Sequence, residues 1–345
     1  MNQLIRTLIV DDSAFVRKVV REMLSRSPYI EVVGAARDGE EALDMAEQLK
    51  PHVVTCDLMM PKLDGVGYVR EQMSRSPVPI LILTASPEDG ERALEAMDAG
   101  AVDFVQKPSA LATDDLLTIR EELVEKVKAA SRAPLRVRKK PNGAESESVK
   151  SRNGTLKVDI VVIGISTGGP QALRDLIPRF ASDFPVPIAM VLHMPVGYTN
   201  LYAQKLDEIS ELNVREAKDG ETLEPGTALL AQAGRHLTVR RSASGNIITQ
   251  LTMQPLDLPH RPAADILFQS AAEVFGSRVL GVVMTGMGSD GRNGSAWIKS
   301  QGGAVLTEAE ESCVIYGMPR AVVEAGLSDG AIPLGRMAQA IMENL

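Results

Sequence analysis

Three residues in the second half of the chain have the types an acyl-transfer relay needs: Ser166, His193 and Asp290. Ser166 lies in Val158–Pro170, VDIVVIGISTGGP, where an apolar, β-branched run ends at Gly164 and two glycines precede Pro170. This pattern predicts a buried strand, a tight turn and a helix with proline in its first turn. Gly164-x-Ser166-x-Gly168 has the form of a nucleophile elbow, in which small neighbours permit a sharp turn that lifts the hydroxyl above the sheet. The N–H groups at the helix start could stabilise an oxyanion. The same glycine-rich turn can instead cradle a phosphate. His193 and Asp290 also follow apolar runs that read as strands. In a parallel sheet the carboxyl ends of the strands share one edge, where ligands bind. A hydroxyl, an imidazole and a carboxylate on that edge can serve as nucleophile, base and orienter. The chain has four histidines. His52 and His236 open strands, and His260, beside Arg261-Pro262, is the second candidate for the base. Asp290, in the loop Thr285–Gly291, can alternatively cap the helix that follows it.

A second set of polar residues lies in the first 130 positions. Asp11 and Asp12 end one predicted strand, Asp57 another and Thr84 a third, and Lys107 follows a fourth. Three carboxylates converging on one crevice repel one another unless a hard cation such as Mg²⁺ sits among them. Lys107 adds a compensating charge and can bind a phosphoryl oxygen, with the Thr84 hydroxyl beside it. The set suits an aspartate that accepts a phosphoryl group.

Elements that could place these residues follow from the hydrophobic rhythm. Residues 4–130 alternate short apolar runs with amphipathic stretches, as βα units around a parallel sheet do. The expected strands are Leu4–Val10, Glu31–Ala36, His52–Cys56, Ile80–Leu83 and Ala101–Val105, and the last helix is Thr113–Ala130. Residues 131–155 are rich in Lys, Arg, Ser, Gly and Pro and read as a flexible linker. The basic cluster Arg136–Lys140 is offset by Glu145 and Glu147 and has no interleaved aromatics. From residue 156 the βα rhythm resumes, with mixed short β segments over 214–252. The length of 345 residues accords with two domains. A net charge of −8 gives no electrostatic case for nucleic-acid binding. Two cysteines without metal-ligand spacing suit a reducing compartment. With no signal-peptide layout and no apolar run near the ~20 residues that span a bilayer, a cytoplasmic protein is expected.

Residues 4–130 resemble a response-regulator receiver domain, through LIVDDS, Asp57 followed by MMPKLDG, LTAS and FVQKP. The resemblance implies phosphorylation on Asp57 and Mg²⁺ held by Asp12 and Asp57 with help from Asp11 and the Met59 carbonyl. It also implies a switch read out through Thr84 and Phe104 and, often, a cis bond at Lys107-Pro108. The order Ser, His, Asp differs from that of the α/β-hydrolases. Residues 156–345 resemble the catalytic domain of the chemotaxis protein-glutamate methylesterases, through IGISTGGP, HMPVGYTNLYAQKLD, HRPAADILF, VMTGMGSDG and SCVIYGMPRAV. This implies an α/β chain of two doubly wound parallel-sheet domains, a flavodoxin-like (βα)5 receiver at 1–130 and a Rossmann-like methylesterase domain at 156–345. It further implies hydrolysis of γ-glutamyl methyl esters on methyl-accepting chemotaxis receptors, with release of methanol, and deamidation of receptor glutamines. Ser166 would be the nucleophile, His193 the base, Asp290 the orienter, and the N–H groups of Thr167 and Met287 the oxyanion donors. A chemotaxis histidine kinase would supply the phosphoryl group, ester hydrolysis would need no cofactor, and the chain would be a monomer. The receiver would cover the hydrolase site until Asp57 is modified. Two departures stand out: Leu192 where the family commonly has glutamine, which would alter a polar contact near the base, and Ala263-Ala264 where it has Ser-Val. The rival readings are a second domain that only binds a partner, or one that binds a nucleotide. Against the latter, no Lys-Ser/Thr follows the glycines.

Overall fold

The computed structural model describes residues 4–107, 113–132 and 157–345, which divide between two compact units within 1–144 and 145–345. Most of the expected linker, and Pro108 with its expected cis bond, lie outside the described residues. No helix among the described residues is long and apolar enough to cross a membrane.

The first unit alternates strands and helices: β1 Ile5–Val10, α1 Ala14–Ser25, β2 Ile30–Ala36, α2 Gly39–Leu49, β3 Val53–Asp57, α3 Gly65–Arg75, β4 Ile80–Thr84, α4 Gly90–Ala99, β5 Asp103–Gln106 and α5 Thr113–Ala130. The five strands form one parallel sheet in the order β2-β1-β3-β4-β5. β3 and β4 are buried along their whole length, as strands covered on both faces must be. Polar side chains start the helices: Ser13, Asp38 and Asp64 accept the N–H of Val16, Glu41 and Gly67, filling donors that a helix start leaves open. The strands run slightly further than the apolar pattern predicts. Asp57 and Thr84 are the last residues of β3 and β4 rather than the first beyond them.

The second unit continues with β6 Ile160–Ile165, α6 Gly169–Leu176, β7 Ile188–Leu192, α7 Thr199–Asp207, β8 Asn213–Glu216, β9 Thr227–Leu230, β10 His236–Arg241 and β11 Ile247–Thr252. It ends with α8 Ala264–Phe275, β12 Val279–Val283, α9 Arg292–Ser300, β13 Ala304–Glu308, α10 Met318–Glu324, β14 Gly330–Ile332 and α11 Leu334–Asn344. Seven strands form a parallel sheet in the order β14-β13-β12-β6-β7-β9-β8, and β10 and β11 form an antiparallel hairpin. β6 is central and fully buried, flanked by β7 on one side and β12 on the other. The chain leaves β6 toward β7 and later returns to β6's other side, so the order reverses at β6, where open α/β sheets bind ligands. One core packs Val162, Val191, Leu267, Phe268, Ile298 and Met318 around this centre. The edge strands β8 and β14 were not expected. They are only four and three residues long, too short for their sequences, NVRE and GAI, to carry a periodic signal.

Candidate active site

Ile165 pairs with Leu192 at the ends of β6 and β7, so Ser166 and His193 are the next residues on neighbouring strands. The His193 N–H donates to the Ile165 carbonyl at 3.2 Å, and the Ser166 N–H donates across the other side to Thr285 O at 3.0 Å. The turn after Ser166 closes when the Gly169 N–H donates to Ser166 O at 2.6 Å, with Gly168 at φ +79°. That backbone region strains a side chain, and a Cβ on Gly168 would also lie 2.6 Å from Val314. Pro170 opens α6. Gly286 lets the loop after β12 press on the turn, since a Cβ there would lie 2.8 Å from Ser166 Cβ and 2.4 Å from Met318 Sδ.

Two peptide planes beside Ser166 are held by their carbonyls. Ser166 O receives Gly169, and Gly286 O receives the N–H of Gly317 at 3.1 Å and of Met318 at 2.8 Å. In a trans peptide the N–H points opposite the carbonyl, so the Thr167 and Met287 N–H groups face away from those donors. Thr285 links the turn after Ser166 to the segment before Tyr316. Its hydroxyl donates to Thr167 O at 3.0 Å and accepts the Ile315 N–H at 3.0 Å. Beneath it lies a carboxylate that sequence reading missed. Glu308, the last residue of β13, is fully buried and accepts the Thr285 N–H at 2.9 Å and the Ser312 hydroxyl at 2.8 Å. A glutamate at the end of a short apolar run looks like an ordinary exposed loop residue.

His193 Nε2 lies 2.8 Å from Asp290 Oδ2. A carboxylate only accepts, so Nε2 carries the proton and Nδ1 is left basic. Nδ1 is buried with no hydrogen-bond partner among the described residues. Ser166, 9% exposed, makes no hydrogen bond to it in this structure. Such bonds commonly tighten only when substrate arrives.

Asp290 does cap a helix, but not the one that follows it. Its carboxylate accepts the N–H of Ala264 at 2.7 Å and of Asp265 at 2.9 Å, supplying the cap that α8's own first residues lack. Asp265 returns the contact by accepting the N–H of Gly294 in α9 at 2.7 Å. The helices cross so closely there that a Cβ on Gly294 would lie 2.5 Å from Phe268 Cβ. Burial alone would push the Asp290 carboxyl up. The hydrogen bond and charge of His193 and the N–H groups of Asp265 and Ala264 outweigh it and hold the group below the usual carboxylate range. Asp265 is raised, because its burial is offset only in part by its backbone donors.

His260, the second candidate for the base, lies against the first. Its ring stacks on that of His193, with centroids 4.1 Å apart. His236 is fully buried. Leu192, flagged for a polar contact near the base, is instead wholly buried at the end of β7, with Cδ1 2.6 Å from where a Cβ on Gly169 would lie.

In the first unit Asp11, Asp12 and Asp57 come together, with one ligand atom from each lying within 4.8 Å of the others. Lys107 Nζ reaches Asp57 Oδ1 at 2.7 Å and Asp11 Oδ2 at 3.0 Å. Asp57 Oδ1 also accepts the Met59 N–H at 3.2 Å. Burial raises the Asp57 carboxyl above its ordinary range against the pull of Lys107. Lys107 is held above its own range because Asp57 and Asp11 overcome its desolvation. Hard oxygen donors around an exposed Asp12 fit a Mg²⁺ ion. Thr84 is buried at the end of β4 beside this cluster's strand. Phe104 is buried on β5, and its carbonyl accepts from the buried Lys126 ammonium at 2.8 Å.

Comparison with known proteins finds matches over both units. The family model described as CheB methylesterase matches residues 161–341, and that described as response regulator receiver domain matches residues 7–120. The protein-glutamate methylesterase/protein-glutamine glutaminase 5 of Myxococcus xanthus is 47% identical over 335 residues, covering 96% of each chain. A protein of Pyrococcus horikoshii named protein-glutamate methylesterase/protein-glutamine glutaminase is 38% identical over 347 residues, covering 99% of this chain and 94% of its own. The crystal structure of the Thermotoga maritima CheB methylesterase catalytic domain is 40% identical with a TM-score of 0.53, covering 55% of this chain and 99% of that one.

Proposed function

The chain belongs to the CheB methylesterase family, and on that premise we propose that it hydrolyses γ-glutamyl methyl esters on chemotaxis receptors and is switched on by phosphorylation of Asp57. The observation that carries the esterase reading is His193, bonded through Nε2 to Asp290 with Nδ1 buried and unpartnered, at the end of the strand beside Ser166.

In this reading Ser166 Oγ attacks the ester carbonyl carbon as His193 Nδ1 takes its proton. The oxyanion forms opposite the N–H groups of Thr167 and Met287, whose planes are set by Gly169, Gly317 and Met318. Collapse breaks the C–O bond, and the leaving methoxide takes the proton from His193 and departs as methanol. A water then attacks the acyl-serine with His193 again as base, and serine and the glutamate carboxylate are released. A glutamine side chain follows the same steps with ammonia as the leaving group, so deamidation belongs to the same site. Leu192 packs into the core rather than toward the base and does not oppose this.

In the first unit the Asp57 carboxylate attacks the phosphorus of a histidine kinase's phosphoryl group. An acyl phosphate forms and the donor's imidazole leaves. Asp11, Asp12, Asp57 and the Met59 carbonyl would hold Mg²⁺, which neutralises charge on the phosphoryl oxygens when bound. Lys107 and Thr84 would contact those oxygens, Phe104 would take part in the switch, and residues 131–155 would tether the two units.

Ser166→Ala tests the site. Methanol release from methyl-labelled receptor is expected to fall on the order of 10⁶-fold, as for a lost triad nucleophile, while Asp57 is still phosphorylated. Normal methanol release by this variant would overturn the assignment.

A further inference from the structure

The edges of the His193 ring are committed to Asp290 and, in the reading above, to Ser166, so its faces remain. On one of them lies His260, with ring centroids 4.1 Å apart and planes inclined by 21°. The segment carrying His260 is fastened on both sides by another histidine. His236 Nε2 lies 3.1 Å from Pro255 O, and His236 Nδ1 accepts the Ala263 N–H at 3.2 Å. The Arg261 guanidinium donates to Leu256 O at 3.1 Å, and the Gly234 N–H donates to Arg261 O at 2.9 Å. His260 is therefore held against His193 by a braced loop and not by chance contact of a free side chain.

We propose that His260 is a positioning residue of the esterase: its ring clamps the face of His193, holding Nδ1 in line for the Ser166 proton and keeping water off that face. The proposal rests on the triad reading above. An imidazole that turns about its own bond loses either Asp290 or serine, and a ring stacked on it blocks that turn. The base itself remains His193, because that ring holds Asp290.

The test uses the full chain, phosphorylated with a small-molecule phosphodonor and Mg²⁺, with two readouts: methanol release from methylated receptor and the rate at which a fluorophosphonate labels Ser166. Rates are expressed per site titrated by the same probe, so unfolded chain does not enter. His260→Ala is expected to lose roughly two- to tenfold in kcat, the range an aromatic pair supplies, with KM unchanged and an equal loss in labelling rate. His260→Phe, which keeps a flat ring, should restore both rates to within about twofold of the parent. His260→Gln, which keeps hydrogen-bonding capacity without a ring, should behave like the alanine variant. Wild-type rates in His260→Ala, rescue by Gln but not Phe, or an effect confined to KM would overturn the proposal. Labelling of Ser166 without methanol release in the parent chain would instead sink the esterase reading, leaving the clamp still measurable by labelling.

Discussion

The carboxylate of Asp290 receives four donors: the His193 imidazole and the N–H groups of Ala264, Asp265 and Gly291. One side chain thus holds the His193 ring, the proposed base, and caps α8. Asp290→Asn keeps the size but replaces one acceptor atom with a donor, so the His193 tautomer that leaves Nδ1 basic loses its partner. A fall in kcat of about 10⁴-fold is expected, the scale seen when a triad acid becomes an amide, and steady-state methanol release measures it. The fall should come with a lower Tm, because the amide keeps one acceptor oxygen for the N–H groups of Ala264, Asp265 and Gly291 where the carboxylate offers two. That Ser166, His193 and Asp290 share one sheet edge was legible because each follows its own apolar run. Asp290's second task was not, since its partners Ala264 and Asp265 are far away in sequence and a cap is usually sought in the adjacent helix.

Among the elements, α8 and α9 are locked start to start, with Asp290 accepting N–H groups of the first and Asp265 one of the second. Asp265→Ala should therefore lower kcat more than KM by loosening the loop that presents Asp290. Asp265→Asn, which keeps an acceptor for Gly294, should retain most of the parent's kcat. Equal kinetics in the two variants would sink this coupling. His236 braces the loop before α8 only as a neutral ring that accepts from Ala263. Burial pushes its pKa down, aided by Arg261 and opposed by the Pro255 carbonyl and the charge of Asp290. The folded chain then resists a proton that the unfolded chain takes up near pH 6.5. Stability from this residue is present above that pH and lost as pH falls through the lower folded value. Thermal melts between pH 7.5 and 5 should decline, and His236→Gln should start lower but decline less. The helices and central strands were visible in the periodicity of their apolar residues. This bracing was not, because a histidine that opens a strand looks the same whether it faces solvent or fills a core.

Across the whole molecule, two parallel sheets each gather acidic or nucleophilic residues at their carboxyl ends, and the proposed function makes the first govern the second. Asp57→Asn should leave unstimulated ester hydrolysis unchanged but abolish its rise on adding a phosphodonor. Chelating Mg²⁺ in the parent chain should have the same effect, followed by methanol release with and without the donor. A phosphodonor response in Asp57→Asn would overturn this ordering. Both sheets could be anticipated because buried parallel strands are written as short, nearly all-apolar runs. The edge strands β8 and β14 escaped because three or four residues are too few to carry such a mark. The reversal of strand order at β6 also has a consequence for biosynthesis. His193 must wait for a partner 97 residues further along, and β6 waits equally for β12 to close its open side. At about 5–20 residues per second, translation supplies that partner roughly 5–20 s later. In the proposed reading, a nascent chain carries Ser166 and His193 through that interval without Asp290, so hydrolytic power arrives only after β12 has been made.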